Sequence, residues 1–358
     1  MQQTINIVEP TLMNEAGHCY SFINALFKAR NKDTVLNLWV DRQATLRFAE
    51  ENIQMKKYFI RRYRRFQSYF LYKKLLITQE KVFISTAGLT DLLLMDWASK
   101  FEVVPGKIYF YCHWFKVTER KLANLRRIAS RQANFVILGP TDTVTNIFKE
   151  AGFKCVHVVP YPIYKIESPQ TETDKFRYLL YAGAARRDKG FTHVVNLIAY
   201  MYKQGLDIPI VLQTSPEHYG KYEATIQEDL QRLQNIPYTH LRICPETFSV
   251  SEYSALFHGA ICLQFYDEND FKDRISGVTL DAFLAGCPIV ATEGTWMAKM
   301  VQRFQSGLTI KEKSPNDIMP AIQRVIENYS NYTENAKKAG KILREENDAS
   351  TLFRILAK

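Results

Sequence analysis

Two tandem series of short apolar runs, each run followed by an amphipathic stretch, leave this chain few ways to fold. The first series reads Thr4–Val8, Thr34–Val40, Lys81–Ser85, Lys107–His113, Asn134–Gly139 and Lys154–Val159 as strands, with helices such as Tyr20–Arg30 and Lys116–Arg131 between them. Continuous apolar strands separated by helices point to a parallel sheet covered on both faces. The polar, proline-bearing stretch Ile166–Lys175 interrupts this rhythm as a linker does. The series then restarts at Phe176–Tyr181 and runs through Ile208–Gln213, His240–Cys244, Ala260–Phe265, Pro288–Ala291 and Leu308–Ile310. The expected class is α/β, with two doubly wound, Rossmann-like domains at residues 1–168 and 169–345. Helices Ser314–Glu327 and Asn331–Arg344 close the second domain, and residues 346–358, with Asp348–Ala357 helical, cross back to the first. Ligands of such sheets lie beyond the carboxyl ends of the strands, which here means a cleft between the halves.

With 358 residues, 46% of them hydrophobic and 23% charged, the chain has ample material for two cores. Its six cysteines are scattered, form no C-x-x-C pair and read as reduced core residues rather than a disulfide or zinc framework. The opening MQQTINIVEP lacks the basic-then-apolar order of a secretory signal. No apolar run approaches the roughly 20 residues that span a bilayer, so a cytoplasmic protein is expected. The formal net charge of +10 is lopsided: residues 1–165 carry 25 Lys and Arg against 13 Asp and Glu, the remainder 22 against 24. The first half is therefore the one to meet an anion: lipid-carrier phosphate, membrane surface or nucleic acid. Within it, Lys56–Leu76 repeats Phe59, Tyr63, Phe66 and Phe70 at helical spacing among Arg61, Arg62, Arg64, Arg65, Lys73 and Lys74. A basic aromatic helix suits an anionic membrane surface, here through Lys56–Lys74; a core-packed helix with solvated cations is the alternative. No nucleic-acid-binding module signature is present, and nucleic acid is not an expected partner.

The most informative segment is Asp273–Thr292, DRISGVTLDAFLAGCPIVAT. Ser276 is a good N-cap, and the helix from Gly277 buries Leu280, Phe283 and Leu284. Gly277 and Asp281, four apart, share its other face. A helix start with no side chain at Gly277 lets an anion approach unpaired N–H groups, and a carboxylate one turn on accepts hydrogen bonds from ribose hydroxyls. Diphosphate plus ribose is a nucleotide. An ordinary capped helix with an early aspartate has the same pattern, so this segment alone does not decide.

The segment resembles the signature of family 4-like glycosyltransferases of the GT-B fold, in which two acids with seven residues between them precede an EA-x-A-x-G-x-P-V run. Asp273 and Asp281 keep that spacing, and Asp281-Ala282 through Ala285-Gly286-Cys287-Pro288-Ile289-Val290 follows the rest. The resemblance implies that Asp281 binds the ribose and that Asp273 lies near the donor sugar, with Asp267, Glu268 and Asp270 as competitors. Arg274, Ser276, Gly277 and Val278, with Gly294-Thr295-Trp296-Met297 downstream, are similar to a bacterial subset in which Arg274 is a candidate phosphate ligand. Tyr181–Gly190 resembles the family's G-R-L-x-x-x-K-G element, and Lys189 falls on the lysine that neutralises the donor diphosphate. Ala184 stands where the family has arginine; Arg186 or Arg187 substitutes from a displaced position.

In the first half, Gly17 and His18 open a helix where relatives carry a glycine turn and a histidine, which implies contact with the acceptor or the transferred sugar. His113 matches a strand-terminal histidine that relatives place in the cleft, implying a catalytic role in polarising acceptor or sugar. The resemblance as a whole implies a GT-B glycosyltransferase that moves a sugar from a nucleoside diphosphate to a glycan or lipid-linked acceptor. It also implies retention of configuration and a place in surface polysaccharide or glycolipid synthesis, on the inner face of the cell membrane. No cofactor and no metal is expected, and the Asp267–Asp270 run reads as a solvated loop. A sugar-nucleotide epimerase or phosphorylase of the same architecture, or a non-catalytic sugar-nucleotide or lipid-binding module, stay open as alternatives.

Overall fold

The computed structural model describes residues 3–15, 17–46, 48, 52–163, 175–214, 223–246 and 248–358. The chain divides into two compact units, Met1–Lys165 with Glu346–Lys358, and Ile166–Glu345. All of the sequence-predicted linker except Lys175 lies outside the described residues.

Unit 1 alternates strand and helix as β1 (Thr4–Val8), α1 (Gly17–Lys28), β2 (Val35–Asp41), β3 (Ile53–Phe59), α2 (Arg64–Leu76), β4 (Lys81–Ile84), α3 (Leu89–Ala98), β5 (Ile108–Tyr111), α4 (Glu119–Arg131), β6 (Val136–Gly139), α5 (Asp142–Glu150) and β7 (Cys155–Val158). The seven strands form one parallel sheet in the order β3-β2-β1-β4-β5-β6-β7. Central strands must be apolar on both faces, and Ile5, Ile7 and Val8 of β1 are fully buried. Against one face pack Leu71 and Leu75 of α2, Leu92 and Met95 of α3, Leu125 and Ile128 of α4, and Val144 and Phe148 of α5. Thr118 and Thr141 start α4 and α5 by accepting hydrogen bonds from the N–H groups of Lys121 and Val144.

One element departs from the sequence reading. The basic aromatic stretch is not helical from Lys56: Ile53–Phe59 is an edge strand paired with β2, Ile60 is extended, and the α-helix begins at Arg64. Phe59, which falls into register with the helical aromatics, is a fully buried strand residue. A strand followed at once by a helix can place aromatics four and three apart by coincidence, and the edge position of β3 gave no apolar run to betray it.

Unit 2 restarts with β8 (Tyr178–Ala182), α6 (Phe191–Lys203), β9 (Ile210–Gln213), α7 (Ala224–Gln234), β10 (Leu241–Cys244), α8 (Val250–Ala255), β11 (Ala260–Gln264), α9 (Glu268–Phe271), α10 (Gly277–Leu284), β12 (Ile289–Thr292), α11 (Trp296–Phe304), β13 (Gly307–Ile310), α12 (Pro315–Glu327) and α13 (Tyr329–Glu346). Its six parallel strands run β10-β9-β8-β11-β12-β13. The last helix, α14 (Ala349–Ala357), belongs to unit 1. The Asn347 carbonyl accepts from Ile163 N at 2.8 Å, and the α14 carbonyls of Leu356 and Ala357 accept from Lys81 Nζ at 3.1 Å and Gln3 Nε2 at 3.0 Å.

Between β8 and α6 the chain makes one 3-10 turn, Arg187–Lys189, closed by Gly190 at φ 73°. A Cβ built there would stand 2.1 Å from the Phe265 carbonyl oxygen. Both the left-handed backbone and this close approach require glycine. Gly190→Ala is therefore expected to lower stability by about 1–3 kcal/mol in chemical denaturation, and an unchanged midpoint would show that the two loops do not meet as described.

Candidate functional site

Winding in unit 2 reverses between β8 and β11, and open α/β sheets bind ligands beyond the strand ends at such a switch point. Directly after β8, Gly183 adopts φ 107° and donates its N–H to Gln213 Oε1 at 2.7 Å. A Cβ at this glycine would lie 3.0 Å from Lys189 Nζ and 3.8 Å from Val278 Cγ2. Two sequence-predicted segments thus meet here: the Tyr181–Gly190 loop, with its glycine turn and lysine, and the first turn of α10.

The charges are distributed unequally. Asp188 is occupied by Arg186, whose Nε donates to it at 2.8 Å, and lies 3.9 Å from Arg274 Nη1. Arg274 also stacks over the Phe271 ring at 4.8 Å. Lys189, by contrast, has no carboxylate partner among the described residues; its ammonium lies 5.7 Å from the centre of the Tyr266 ring. Burial first, then the neighbouring Arg186, pushes its pKa down to about 8, with Asp188 opposing.

One turn into α10 the Asp281 carboxyl is likewise half-buried without a hydrogen bond or ion pair among the described residues, and burial pushes it up to about 7. The two groups are not paired with each other. Both nevertheless act on Cys262: burial raises that thiol to about 12, the Asp281 charge adds to the rise and the Lys189 charge opposes it. A cation and a carboxylate, each desolvated and each without an ion-pair partner among the described residues, thus lie in reach of the same buried thiol. A ligand with an anionic group and adjoining hydroxyls would satisfy both.

At the N-cap position Ser276 makes no side-chain cap, contrary to the sequence expectation. Its hydroxyl lies instead beside Tyr266 Oη, a buried phenol oxygen without a full hydrogen bond among the described residues. The first-turn N–H groups of α10 are thereby left without a side-chain acceptor from Ser276, and a Cβ at Gly277 would meet nothing within 4 Å. That is open ground for an anion. Asp273 is 3.1 Å from Lys299 Nζ. Asp267 caps α9 through the N–H groups of Asn269 and Asp270. Among the described residues no cluster of His, Cys, Asp and Glu could hold a metal ion.

Unit 1 has its own switch point, between β1 and β4. His113 follows β5, and its Nε2 lies 2.9 Å from the Ser85 carbonyl oxygen, so that nitrogen carries the proton. Its ring packs edge-on against Phe22 and Tyr111. Gly17 begins α1 at φ 83° in open space; the His18 side chain lies outside the described residues. Sequence reasoning missed Tyr266 and Asp188 in unit 2 and, in unit 1, the buried Glu9. All three sit at strand ends or in a strand–helix loop, where position is the only signal the sequence offers.

No protein-family model and no curated protein matches the chain. Solved structures do. Anabaena Alr3699/HepE in complex with UDP and glucose is similar at TM-score 0.68 and 13% identity, over 99% of this chain and 98% of that one. A UDP-forming α,α-trehalose-phosphate synthase from Burkholderia xenovorans gives TM-score 0.69 and 13% identity, over 100% and 99%. Sucrose-phosphate synthase from Thermosynechococcus elongatus gives 0.66 and 13%, over 99% and 96%. The fold is GT-B. At this identity the likeness establishes the two parallel-sheet domains, and the chemistry rests on the residues themselves.

Both unpaired groups titrate near neutrality, which makes the site testable by pH. A diphosphate requires Lys189 protonated, so affinity is expected to fall as pH rises through about 8; hydroxyl recognition requires Asp281 ionised, so it is expected to fall below about 7. Calorimetric titration with UDP-glucose, whose diphosphate stays fully ionised over this range, should give a maximum between these values. Asp281→Asn should flatten the acid limb and Lys189→Met the alkaline one; a flat wild-type profile would contradict the assignment.

Proposed function

We propose that this chain is a glycosyltransferase that takes a sugar from a nucleoside diphosphate, a uridine nucleotide by analogy with its structural neighbours, and passes it to a glycan or lipid-linked acceptor. The observation that carries this reading is the unsatisfied pair in unit 2, Lys189 beside Gly183 and Asp281 on α10.

Asp281 receives the ribose hydroxyls. Lys189, Arg186 or Arg187, Arg274 and the N–H groups at Ser276, Gly277 and Val278 receive the diphosphate. Cleavage of the sugar–phosphate bond builds negative charge on the leaving oxygen, and fixed cations and N–H dipoles aimed there stabilise it. This scheme needs no metal. In the same reading Asp273 lies near the donor sugar, and His113, Gly17 and His18 of unit 1 serve the transferred sugar or acceptor. Transfer proceeds with retention on the front face, without a covalent enzyme intermediate.

We place the reaction in surface polysaccharide or glycolipid synthesis, at the cytoplasmic membrane face. Support comes from unit 1. Tyr63, Phe66 and Phe70 are exposed, Phe66 at 73%, among Arg61, Arg62, Arg64, Arg65 and Lys73. An anionic bilayer matches both the charge and the rings. No helix among the described residues is long and apolar enough to cross a membrane.

Lys189→Ala and Asp281→Ala are each expected to weaken UDP-glucose binding about 10- to 100-fold while the protein still folds, as charge-assisted hydrogen bonds of about 1.5–3 kcal/mol predict. Unchanged affinity in both would remove the donor assignment. Product analysis then separates the activities: a transferase releases UDP as sugar appears on the acceptor, whereas an epimerase alters the sugar while it stays attached. Replacing Arg61, Arg62, Arg64 and Arg65 by Ser should abolish most sedimentation with phosphatidylglycerol-containing vesicles, each cation contributing about 1 kcal/mol; equal sedimentation would refute the membrane role.

A further inference from the structure

At the unit 1 switch point the sheet ends on a buried carboxylate. Glu9 follows β1 and is 1% exposed. Its Oε1 accepts from Thr11 Oγ1 at 2.6 Å and Thr11 N at 3.4 Å, and its Oε2 from Ser85 Oγ at 2.8 Å and Thr86 Oγ1 at 2.5 Å. No cation pairs with it among the described residues. Thr11 and Thr86 are themselves exposed.

We propose that Thr11 and Thr86, standing over Glu9, form a subsite that reads the hydroxyls of an uncharged sugar residue and turns phosphorylated sugars away. A threonine hydroxyl has one proton and two lone pairs. Both threonines commit that proton inward to Glu9, so what they show to solvent is acceptor capacity alone. The groups they can bind are donors, and the abundant donor on a glycan is the sugar O–H. A phosphate offers acceptor oxygens and negative charge, and meets lone pairs above a buried carboxylate.

Two neighbours report the same field. Cys19, 3.8 Å from Thr11 Oγ1, has its thiol pushed up to about 12 by burial and then by Glu9. Asp91 is raised mainly by burial, with Glu9 adding to the rise. At both groups burial is the larger cause, and the Glu9 charge acts in the same direction. His113 extends the pattern on the other side. Its Nε2 donates to the Ser85 carbonyl, which fixes a proton on that nitrogen, and lies 3.5 Å from Thr86 Oγ1.

The inference deepens the proposed transfer reaction by naming the class of group at the unit 1 site, and it rests on that reading. The two are separable by experiment, because UDP binding tests Lys189 and Asp281 whereas sugar selectivity tests Thr11 and Thr86. The full chain, with UDP present, is titrated by saturation-transfer NMR with methyl glucoside, galactoside and mannoside and with the 6-phosphates of the same sugars. Only binding lost in Thr86→Val is counted. At least one glycoside should bind, its 6-phosphate should bind about tenfold more weakly or not at all, and Thr11→Val should weaken the glycoside as Thr86→Val does. Glu9→Gln, which removes the charge and turns one hydroxyl outward, should narrow the gap. The threonines are exposed, so their variants carry the test even where Glu9→Gln does not fold. A 6-phosphate that binds as tightly as its glycoside, or the absence of any Thr86-dependent glycoside binding, overturns the subsite. Loss of UDP binding in the wild-type protein would instead overturn the proposed function itself.

Discussion

The proposed donor site depends on keeping Lys189 unpaired in a place where water is scarce. An ammonium beside an aspartate on a loop would ordinarily form an ion pair. Here Asp188 is turned to Arg186 and Arg274, and Lys189 lies over the Tyr266 ring against the bare backbone of Gly183. The ring's negative face offsets part of the desolvation without neutralising the charge. What remains is a cation whose pKa lies at about 8, close to the first turn of α10, where Gly277 has no side chain. The same holds, with opposite sign, for Asp281. Both groups are costly to the free protein, and a ligand that satisfies them recovers that cost as affinity.

The two units solve the same architectural problem with opposite electrostatics. Each is an open parallel sheet whose order reverses once, and each gathers its polar side chains at the reversal. In unit 2 the reversal carries a glycine turn, cations and a helix start that Ser276 does not cap. In unit 1 it carries a buried carboxylate covered by hydroxyls. The excess positive charge of unit 1 therefore does not reach its own switch point. It lies on outer helices, where α2 exposes Arg64, Arg65, Lys73 and Lys74 beside Phe66 and Phe70. Net charge per domain predicted an anionic partner for this half, and the local arrangement puts the exposed cations that such a partner would need on the helix layer, away from the sheet end.

Much of this was legible in the residues. The strand–helix alternation appears because buried parallel strands are predominantly apolar, so a run such as Ile108–Tyr111 reads as a strand without any alignment. The edge strand β3 escaped because only one of its residues, Phe59, is fully buried, and the rest offer no apolar run. Ser276 was legible as an N-cap by type and position, yet its hydroxyl turns to Tyr266, a neighbour ten residues away that no local rule reveals. Glu9 was invisible for the opposite reason. A glutamate before a proline reads as a solvated turn; Thr11 supplies two of its hydrogen bonds locally, and the arrival of Ser85 and Thr86 after β4 supplies the other two.

Periodicity and glycine placement are local properties, so all strands of both sheets but β3, their grouping into two sheets and the residue types at the helix start of α10 were readable from the residues alone. Tertiary structure decided which charges stay unpaired. Lys189 lies over Tyr266, and Glu9 meets Ser85 and Thr86, only because strand order brings the loops after β8 and β11, and after β1 and β4, side by side. Strand order is set by the packing of whole helices on a sheet, which no short window of residues encodes.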